Sequence, residues 1–100
     1  MRTIIKQENS CQVIYFIGRL DTAAALDVQQ DIKPFYNCID SNIIFDCTEL
    51  DYISSSGLRI FFSILKNAKT KGFHVYIRGL NDNLRQIFAM TGFINLFEYM

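Results

Sequence analysis

The chain has few of the residues that mark a specialised class of protein. It has one proline, no tryptophan and three cysteines among 100 residues, and its ten basic residues balance its ten acidic ones. A chain without net charge has no long-range attraction to nucleic acid or anionic lipid, so we expect neither as a partner. We interpret the remaining basic cluster as solvated surface around a turn, and it comprises Lys66, Lys69, Lys71 and Arg78.

The cysteines and the apolar runs argue against two further classes. Cys11, Cys38 and Cys47 are widely spaced and include no C-x-x-C pair, which argues against a disulfide framework and a zinc site. We interpret all three as buried, reduced thiols. Polar residues at 6–9 interrupt the N-terminal apolar run, and no run is long enough to cross a membrane. We therefore expect a cytoplasmic protein without direct membrane insertion.

The residues that are present indicate a folded domain. Half of the chain is hydrophobic and 14% is aromatic, which is typical of a globular protein with its own core. The length suits one core, and no repeat or linker divides the sequence. The prediction is a single domain over residues 1–100.

The first half of the chain predicts a hairpin, a helix and a central strand. Residues 3–6 and 12–17 are rich in β-formers on either side of a polar stretch. Asp21 or Thr22 can cap the helix that follows, and Pro34 should end or kink it near residue 32. The helix is predicted from the spacing of Ala25, Val28, Ile32 and Phe35. Residues 43–45 run apolar without alternation, which predicts a strand buried on both faces.

The second half predicts two more helices. The clearest amphipathic helix ends at Gly72 and carries Leu58, Phe61, Phe62, Leu65 and Ala68 on one face. A strand at 73–79 follows, then a helix capped by Asn81 or Asp82 and ended by Gly92, and a short last strand. The predicted order is β-β-α-β-α-β-α-(β), an α/β domain with a mixed sheet flanked by helices.

Three adjacent serines, Ser54, Ser55 and Ser56, lie between a predicted strand and the clearest helix. One serine is enough to cap a helix N-terminus. The other hydroxyls have two interpretations that these residues leave open. They can complete an ordinary turn, or one can be an exposed modification site, where the positive end of the helix dipole would stabilise a phosphate.

Four segments resemble the STAS domain family, named for sulphate transporters and anti-sigma-factor antagonists, and in particular its small bacterial single-domain antagonists. YISSSGLRIFF (52–62) resembles the family's phosphoacceptor segment, and GRLD (18–21) is similar to the landmark at the end of its second strand. IIFDCTELDYI (43–53) resembles its third strand, with Asp46 at the usual acidic position, and MTGF (90–93) its turn after the third helix. The resemblance implies a STAS-like fold over nearly the whole chain.

The sequence departs from the family pattern in two places. Ser54 stands where the family commonly has aspartate, and alignment on Gly57 favours Ser55 over Ser54 and Ser56 as the phosphoacceptor. The sequence also stops at Met100, without the C-terminal helix of many members, so we expect an uncovered sheet edge or helix groove.

The resemblance implies an anti-sigma factor antagonist that works in a partner switch. The unmodified protein would bind an anti-sigma factor of the histidine-kinase-like ATPase type. That partner is also a serine kinase, and it would phosphorylate Ser55 and be released. A PP2C-type phosphatase would reset the switch. The partner-binding candidates are Asp21, Ser54, Ser56, Gly57, Arg59 and Ile60.

Two of these candidates also have ordinary structural interpretations. At about 100° per residue, Ile60 lies almost opposite a stripe through Leu58, Phe62 and Leu65, and should face solvent. It can be a contact residue or simply one of the many exposed apolar residues. Asp21 can be a contact residue or a helix cap.

Two other functions, an enzyme and a non-switching interaction subunit, are weighed against the partner switch by the residues they would need. An enzyme would need a base for a serine nucleophile, and the only histidine, His74, lies in a predicted strand. The chain has neither a G-x-S-x-G elbow nor a phosphate-binding loop, so we expect no catalytic residue, cofactor or metal. The alternative function is a non-phosphorylated STAS interaction subunit of a lipid transporter or of a stress-signalling assembly, and the missing aspartate at Ser54 keeps it open.

Overall fold

The first two strands form a hairpin because the chain reverses at Asn9 and Ser10, whose φ angles of 48° and 71° define a type I′ turn. The computed structural model describes all of residues 1–100. Its strands are β1 (Arg2–Glu8), β2 (Cys11–Leu20), β3 (Ile43–Asp46), β4 (Leu50–Ile53), β5 (Val75–Arg78) and β6 (Glu98–Tyr99). Its α-helices are α1 (Thr22–Ile32), α2 (Ser55–Thr70) and α3 (Asp82–Thr91), and two 3-10 segments cover Lys33–Cys38 and Phe93–Asn95.

The strands form one mixed sheet in the order β1-β2-β3-β5-β6, with β4 paired to β2. Only β1 and β2 are antiparallel, and the other pairs are parallel. All four residues of β3 are buried between two neighbouring strands, as the unbroken apolar run predicts. The predicted fold class, an α/β domain with a mixed sheet and three helices, is confirmed.

The long β2 strand pairs with two different strands. Its residues 12–15 pair with β3, and after an irregularity at Gly18 its end pairs with β4. Residues 43–53, which resemble one family strand, are therefore two strands here. The break occurs because the Thr48 amide donates to the Asp46 carboxylate at 3.0 Å, which turns the chain out of β3.

The core lies on one face of the sheet and is dominated by phenylalanine. Phe16 of β2 and Phe45 of β3 pack against Phe61 of α2, with ring centroids 4.7 Å and 4.6 Å from that of Phe61. Phe88 of α3 also contacts Phe61, at 6.1 Å, so α2 and α3 cover the same face. Such aromatic pairs contribute about 0.5–1.5 kcal/mol each beyond the apolar area they bury.

The first helix ends where the proline predicts. Asp21 is its cap, and its carboxylate accepts the Ala24 amide at 2.8 Å. α1 ends at Ile32, and the chain continues as a 3-10 segment with Pro34 in its first turn. Proline lacks an N–H and cannot donate to the preceding helical turn, so the α-helix cannot continue unchanged.

The buried face of α2 differs from the predicted stripe. Ile60 is only 5% exposed, whereas Phe62 is 40% exposed, so the prediction that Ile60 faces solvent is wrong. The reason is that α2 packs against the sheet through Phe61 and also lies beside α1, where Ile60 and Ala25 line the same groove. A helix with two packing neighbours buries a wider arc than one stripe.

Two predictions about individual residues also need correction. Cys47 is buried, and burial raises the pKa of its thiol to about 12, but Cys11 is half-buried and Cys38 is exposed. Cys38 ends a surface 3-10 segment, so the prediction of three buried thiols is wrong for it. His74 lies just before β5, largely exposed and 2.8 Å from Glu98.

The face of the sheet opposite the core carries a polar network instead of a helix. Arg78 is part of this network and is not solvated surface. Its Nε donates to Asp46 at 2.8 Å, and its Nη2 donates to the Tyr15 hydroxyl at 3.1 Å and lies 3.4 Å from Glu8. The Tyr15 hydroxyl also donates to Glu8. We call these four residues the sheet-face network; they join β1, β2, β3 and β5.

None of the helices is long and apolar enough to span a membrane.

Candidate functional site

The N-termini of α1 and α2 lie next to each other because the strands that precede them are paired. Leu20 at the end of β2 is in register with Ile53 at the end of β4. The Ser54 amide then donates to the Leu20 carbonyl at 2.8 Å. The two helix caps, Asp21 and Ser54, follow directly, so both helices start at the same end of the sheet.

Ser54 is the cap of α2. Its side-chain oxygen accepts the Gly57 amide at 3.2 Å, and the residue is only 8% exposed. Its hydroxyl is therefore already used inside the fold. The position is buried between the end of β4 and the first turn of α2, and contact between Ser54 and a partner stays a prediction.

Gly57 is buried as well, and the reason is the close approach of α2 to the sheet. A Cβ atom at this position would lie 2.7 Å from Leu20 Cγ and 2.8 Å from Ile53 Cγ1, which is closer than side chains pack. The glycine therefore serves helix–strand packing, and direct contact between Gly57 and a partner stays a prediction.

Ser55 and Ser56 differ from Ser54 in exposure. Ser55 is the first residue of α2, it is exposed, and its hydroxyl makes no hydrogen bond within the protein. Ser56 is half-buried and lines a groove between α1 and α2. Of the three serines, Ser55 presents the most accessible hydroxyl.

The groove between α1 and α2 has a volume of about 440 Å³ and adjoins the serine segment. Its apolar residues include Leu26 of α1 and Ile60 of α2, and its polar residues include Gln29, Ser56 and Arg59. Ile60 is thus part of the groove wall rather than a protruding contact. Leu26 is 63% exposed, so the groove has an apolar side chain at its rim.

Two residues of the groove, Leu26 and Tyr36, are not predicted from the sequence. A signal for Leu26 was present, since it lies outside the stripe formed by Ala25, Val28 and Ile32 and is therefore a leucine on the solvent side of α1. Tyr36 gave no such signal, because it reaches the groove only through the 3-10 segment after α1.

The electrostatics of this end of the molecule suit an added anion. The unpaired amides at the N-termini of α1 and α2 both carry partial positive charge, and a negative group is stabilised near them. No carboxylate lines the groove. Its one charged residue is Arg59, which is exposed and lies one turn after Ser55 on α2. Asp21, the acidic candidate, is half-buried, and its carboxylate accepts an amide of α1.

Comparison with known proteins gives consistent matches. The STAS domain model matches residues 2–99. The anti-sigma-B factor antagonist of Listeria monocytogenes is 25% identical over 95 residues, which cover 94% of this chain and 83% of that protein.

Solved structures share the fold. An anti-sigma factor antagonist from Mycobacterium paratuberculosis has a TM-score of 0.79 at 22% identity, covering 98% of this chain and 83% of that one. Phosphorylated SpoIIAA, a Bacillus cell fate determinant, has a TM-score of 0.72 at 17% identity, covering 99% of this chain and 91% of that one. At these identities the likeness concerns the fold alone.

Proposed function

Because the chain belongs to the STAS domain family, we propose that it acts as an anti-sigma factor antagonist whose binding to its partner is switched by a phosphate on Ser55. The names of its relatives support this role, since the Listeria monocytogenes protein is an anti-sigma-B factor antagonist. The role is regulatory, and the chemistry of phosphate transfer belongs to the partner.

The observation that carries the proposal is the division of roles among the three serines. Ser54 caps α2 with its side-chain oxygen, whereas Ser55 leaves its hydroxyl exposed and free of hydrogen bonds in the first turn. A kinase active site can reach Ser55 without unfolding the helix. Ser56 is less accessible because it is half-buried and lines the groove.

A phosphate on Ser55 changes the surface and leaves the fold in place. A phosphoserine carries a charge of about −1.5 to −2 at neutral pH. The helix dipole of α2 stabilises that charge within the protein. In a closed interface the same group adds bulk, a desolvation cost and repulsion from any facing carboxylate. A penalty of about 3 kcal/mol lowers affinity roughly a hundredfold, which is enough to release a partner.

The proposed contact surface combines Ser55 with the rim of the groove. Leu26 offers an exposed apolar side chain on α1, and Arg59 offers a cation on α2. The proposed partner is an anti-sigma factor of the histidine-kinase-like ATPase type that is also the serine kinase. A PP2C-type phosphatase would restore the unmodified state.

Phosphate mapping tests the modification. The purified chain is incubated with its cognate kinase and ATP, and the modified residue is located by mass spectrometry. We expect one phosphate, on Ser55, and none in Ser55→Ala, while Ser56→Ala is phosphorylated like the wild type. Phosphate on Ser54 or Ser56 would contradict the assignment.

Affinity capture tests the partner. The tagged chain should retain an ATPase of this type after phosphatase treatment and lose it after phosphorylation. Leu26→Lys should weaken capture, whereas Met90→Lys serves as the matched control, because Met90 is an exposed apolar residue outside the groove. Capture of a transporter permease that ignores the phosphorylation state would favour the role of a non-switching STAS subunit.

A further inference from the structure

The two edges of the sheet differ in how much backbone they leave unpaired. At one edge β6 has only two residues. At the other edge β1 has seven residues, all in regular register with β2, and contains no proline or bulge. Natural proteins usually protect a sheet edge by keeping it short, bulged or covered. The β6 edge is short, whereas the only such protection of β1 is its charged side chains, Arg2, Lys6 and Glu8.

The hairpin turn determines which backbone groups of β1 point outward. A two-residue type I′ turn is closed by a hydrogen-bonded pair, here Glu8 and Cys11. Hydrogen-bonded and non-hydrogen-bonded pairs then alternate along the strands. Thr3, Ile5 and Gln7 therefore direct their N–H and C=O groups away from β2. None of the three makes a backbone hydrogen bond outside the regular elements.

From this arrangement we propose that β1 pairs antiparallel with β1 of a second copy of the chain, centred on Ile5. In this register Ile5 lies opposite its own copy on the two-fold axis, and Thr3 lies opposite Gln7. All the outward backbone groups of these three residues then find partners, and six hydrogen bonds can form across the axis.

The charges of β1 select this register. On the helix-free face it places Arg2 opposite Glu8 of the other copy, twice, and Lys6 opposite Ile4. A shift of two residues in one direction would set Lys6 opposite Arg2, and a shift in the other direction would set Lys6 opposite itself. Like charges directly opposite on neighbouring strands are destabilising, so both shifted registers are disfavoured.

The side chains on β1 are available for this contact. Ile5 is 45% exposed on the face that carries the helices, where its cross-strand neighbour is the buried Ile14. Arg2 is exposed and makes no ion pair within the protein. Glu8 uses one carboxylate oxygen, Oε2, in the sheet-face network, and its other oxygen is free for Arg2 of the second copy. A single strand pair buries less area than a typical stable interface, so the dimer should be weak and concentration-dependent.

Sedimentation velocity of the full chain over a range of concentrations tests association. We expect the mass to rise from one chain toward two. Arg2→Glu should raise the dissociation constant at least tenfold, because it sets two carboxylates opposite each other at both ends of the pair. Lys69→Glu, the same change of charge in the last turn of α2, should leave it unchanged. One-chain mass at every concentration, or equal effects of the two variants, would overturn the proposal.

Cysteine cross-linking tests the register in a chain with Cys11→Ser and Cys38→Ser. Ile5→Cys should form a disulfide-linked dimer on mild oxidation, because Cα atoms of a hydrogen-bonded pair lie about 5.5 Å apart, within disulfide range. Ile4→Cys and Lys6→Cys are the controls, since each is displaced from its own copy by about 7 Å along the strand. Equal cross-linking of all three, or preferential cross-linking of a control, would contradict the register. Circular dichroism of each variant checks that it is folded. Neither experiment involves phosphorylation, so a failure of the proposed dimer is distinguishable from a failure of the proposed switch on Ser55.

Discussion

The amide of Ser54 donates to the carbonyl oxygen of Leu20 at 2.8 Å, and this bond joins the end of β4 to the end of β2. It sets the caps of α1 and α2 next to each other. The exposed Ser55, the groove beside it and the positive ends of both helices therefore lie at the same end of the sheet. The accessibility of Ser55 depends on Ser54, because the capping residue fixes where α2 begins.

Ser54→Ala should destabilise the protein by about 1 kcal/mol, because the Gly57 amide loses its side-chain acceptor. For a domain of this size that corresponds to a fall in Tm of roughly 4–8 °C. Urea denaturation measures the change. Ser56→Ala is the control, since Ser56 caps nothing, and it should stay within about 0.5 kcal/mol of the wild type. Equal losses for the two variants would mean that the cap contributes nothing.

Gly57→Ala should also destabilise the protein, although alanine is the better helix former by about 1 kcal/mol. The added methyl group would overlap the buried side chains of Leu20 and Ile53. Overpacking of this kind typically costs about 1–3 kcal/mol, and we expect a net loss. Lys66→Ala, at an exposed position of the same helix, is the control. A gain in stability for Gly57→Ala would show that α2 can move away from the sheet at no cost.

Stability should fall in acid because of Asp46. Burial alone would raise the pKa of this carboxyl, but the hydrogen bonds from Arg78 and Thr48 outweigh it and hold the pKa below its ordinary value of 3.8. A group whose pKa is lower in the folded protein stabilises the fold above its unfolded pKa. That stabilisation is complete above about pH 5 and is lost as the pH falls through the ordinary value toward the lower folded one.

The test of this pH dependence is urea denaturation of wild type and Asp46→Asn between pH 7 and pH 3. Asp46→Asn should cost about 1.5–3 kcal/mol at pH 7, because a charge-assisted hydrogen bond is lost. It should also flatten the acid dependence, although Glu8, whose pKa the Tyr15 and Arg78 hydrogen bonds lower, keeps part of it. Parallel curves for the two proteins would exclude Asp46 as a source of the acid sensitivity.

The sequence predicts the features that depend on neighbours along the chain. The hairpin, the end of α1 before Pro34 and the glycine that ends α3 each rest on a few adjacent residues. Ile60 and Phe62 could not be assigned in this way, because the exposure of each depends on where α1 and the segment around Phe93 lie. The groove and the sheet-face network join distant segments, so they become visible only in three dimensions.

Among the serines, the sequence leaves open which one caps α2 and which one is exposed. Every hydroxyl near a helix start can accept an amide, and three adjacent serines offer three possible starts. The fold decides, because the pairing of β4 with β2 ends at Ile53 and sets Ser54 at the cap. The alignment with the family pattern and the observed exposure therefore favour the same residue, Ser55.

Ser55→Asp should separate stability from binding. An acidic side chain in the first turn of α2 interacts favourably with the helix dipole, so we expect the free energy of unfolding to rise by about 0.3–1 kcal/mol at low salt. Thr70→Asp is the matched control, since Thr70 is exposed in the last turn of the same helix, where an acid should destabilise. Both effects should shrink in 0.5–1 M salt, because screening weakens dipole interactions. Binding of the anti-sigma factor should fall for Ser55→Asp and stay unchanged for Thr70→Asp. If Ser55→Asp lost stability and binding together, the weaker binding would reflect damage to the fold, and the negative charge itself would not be the switch.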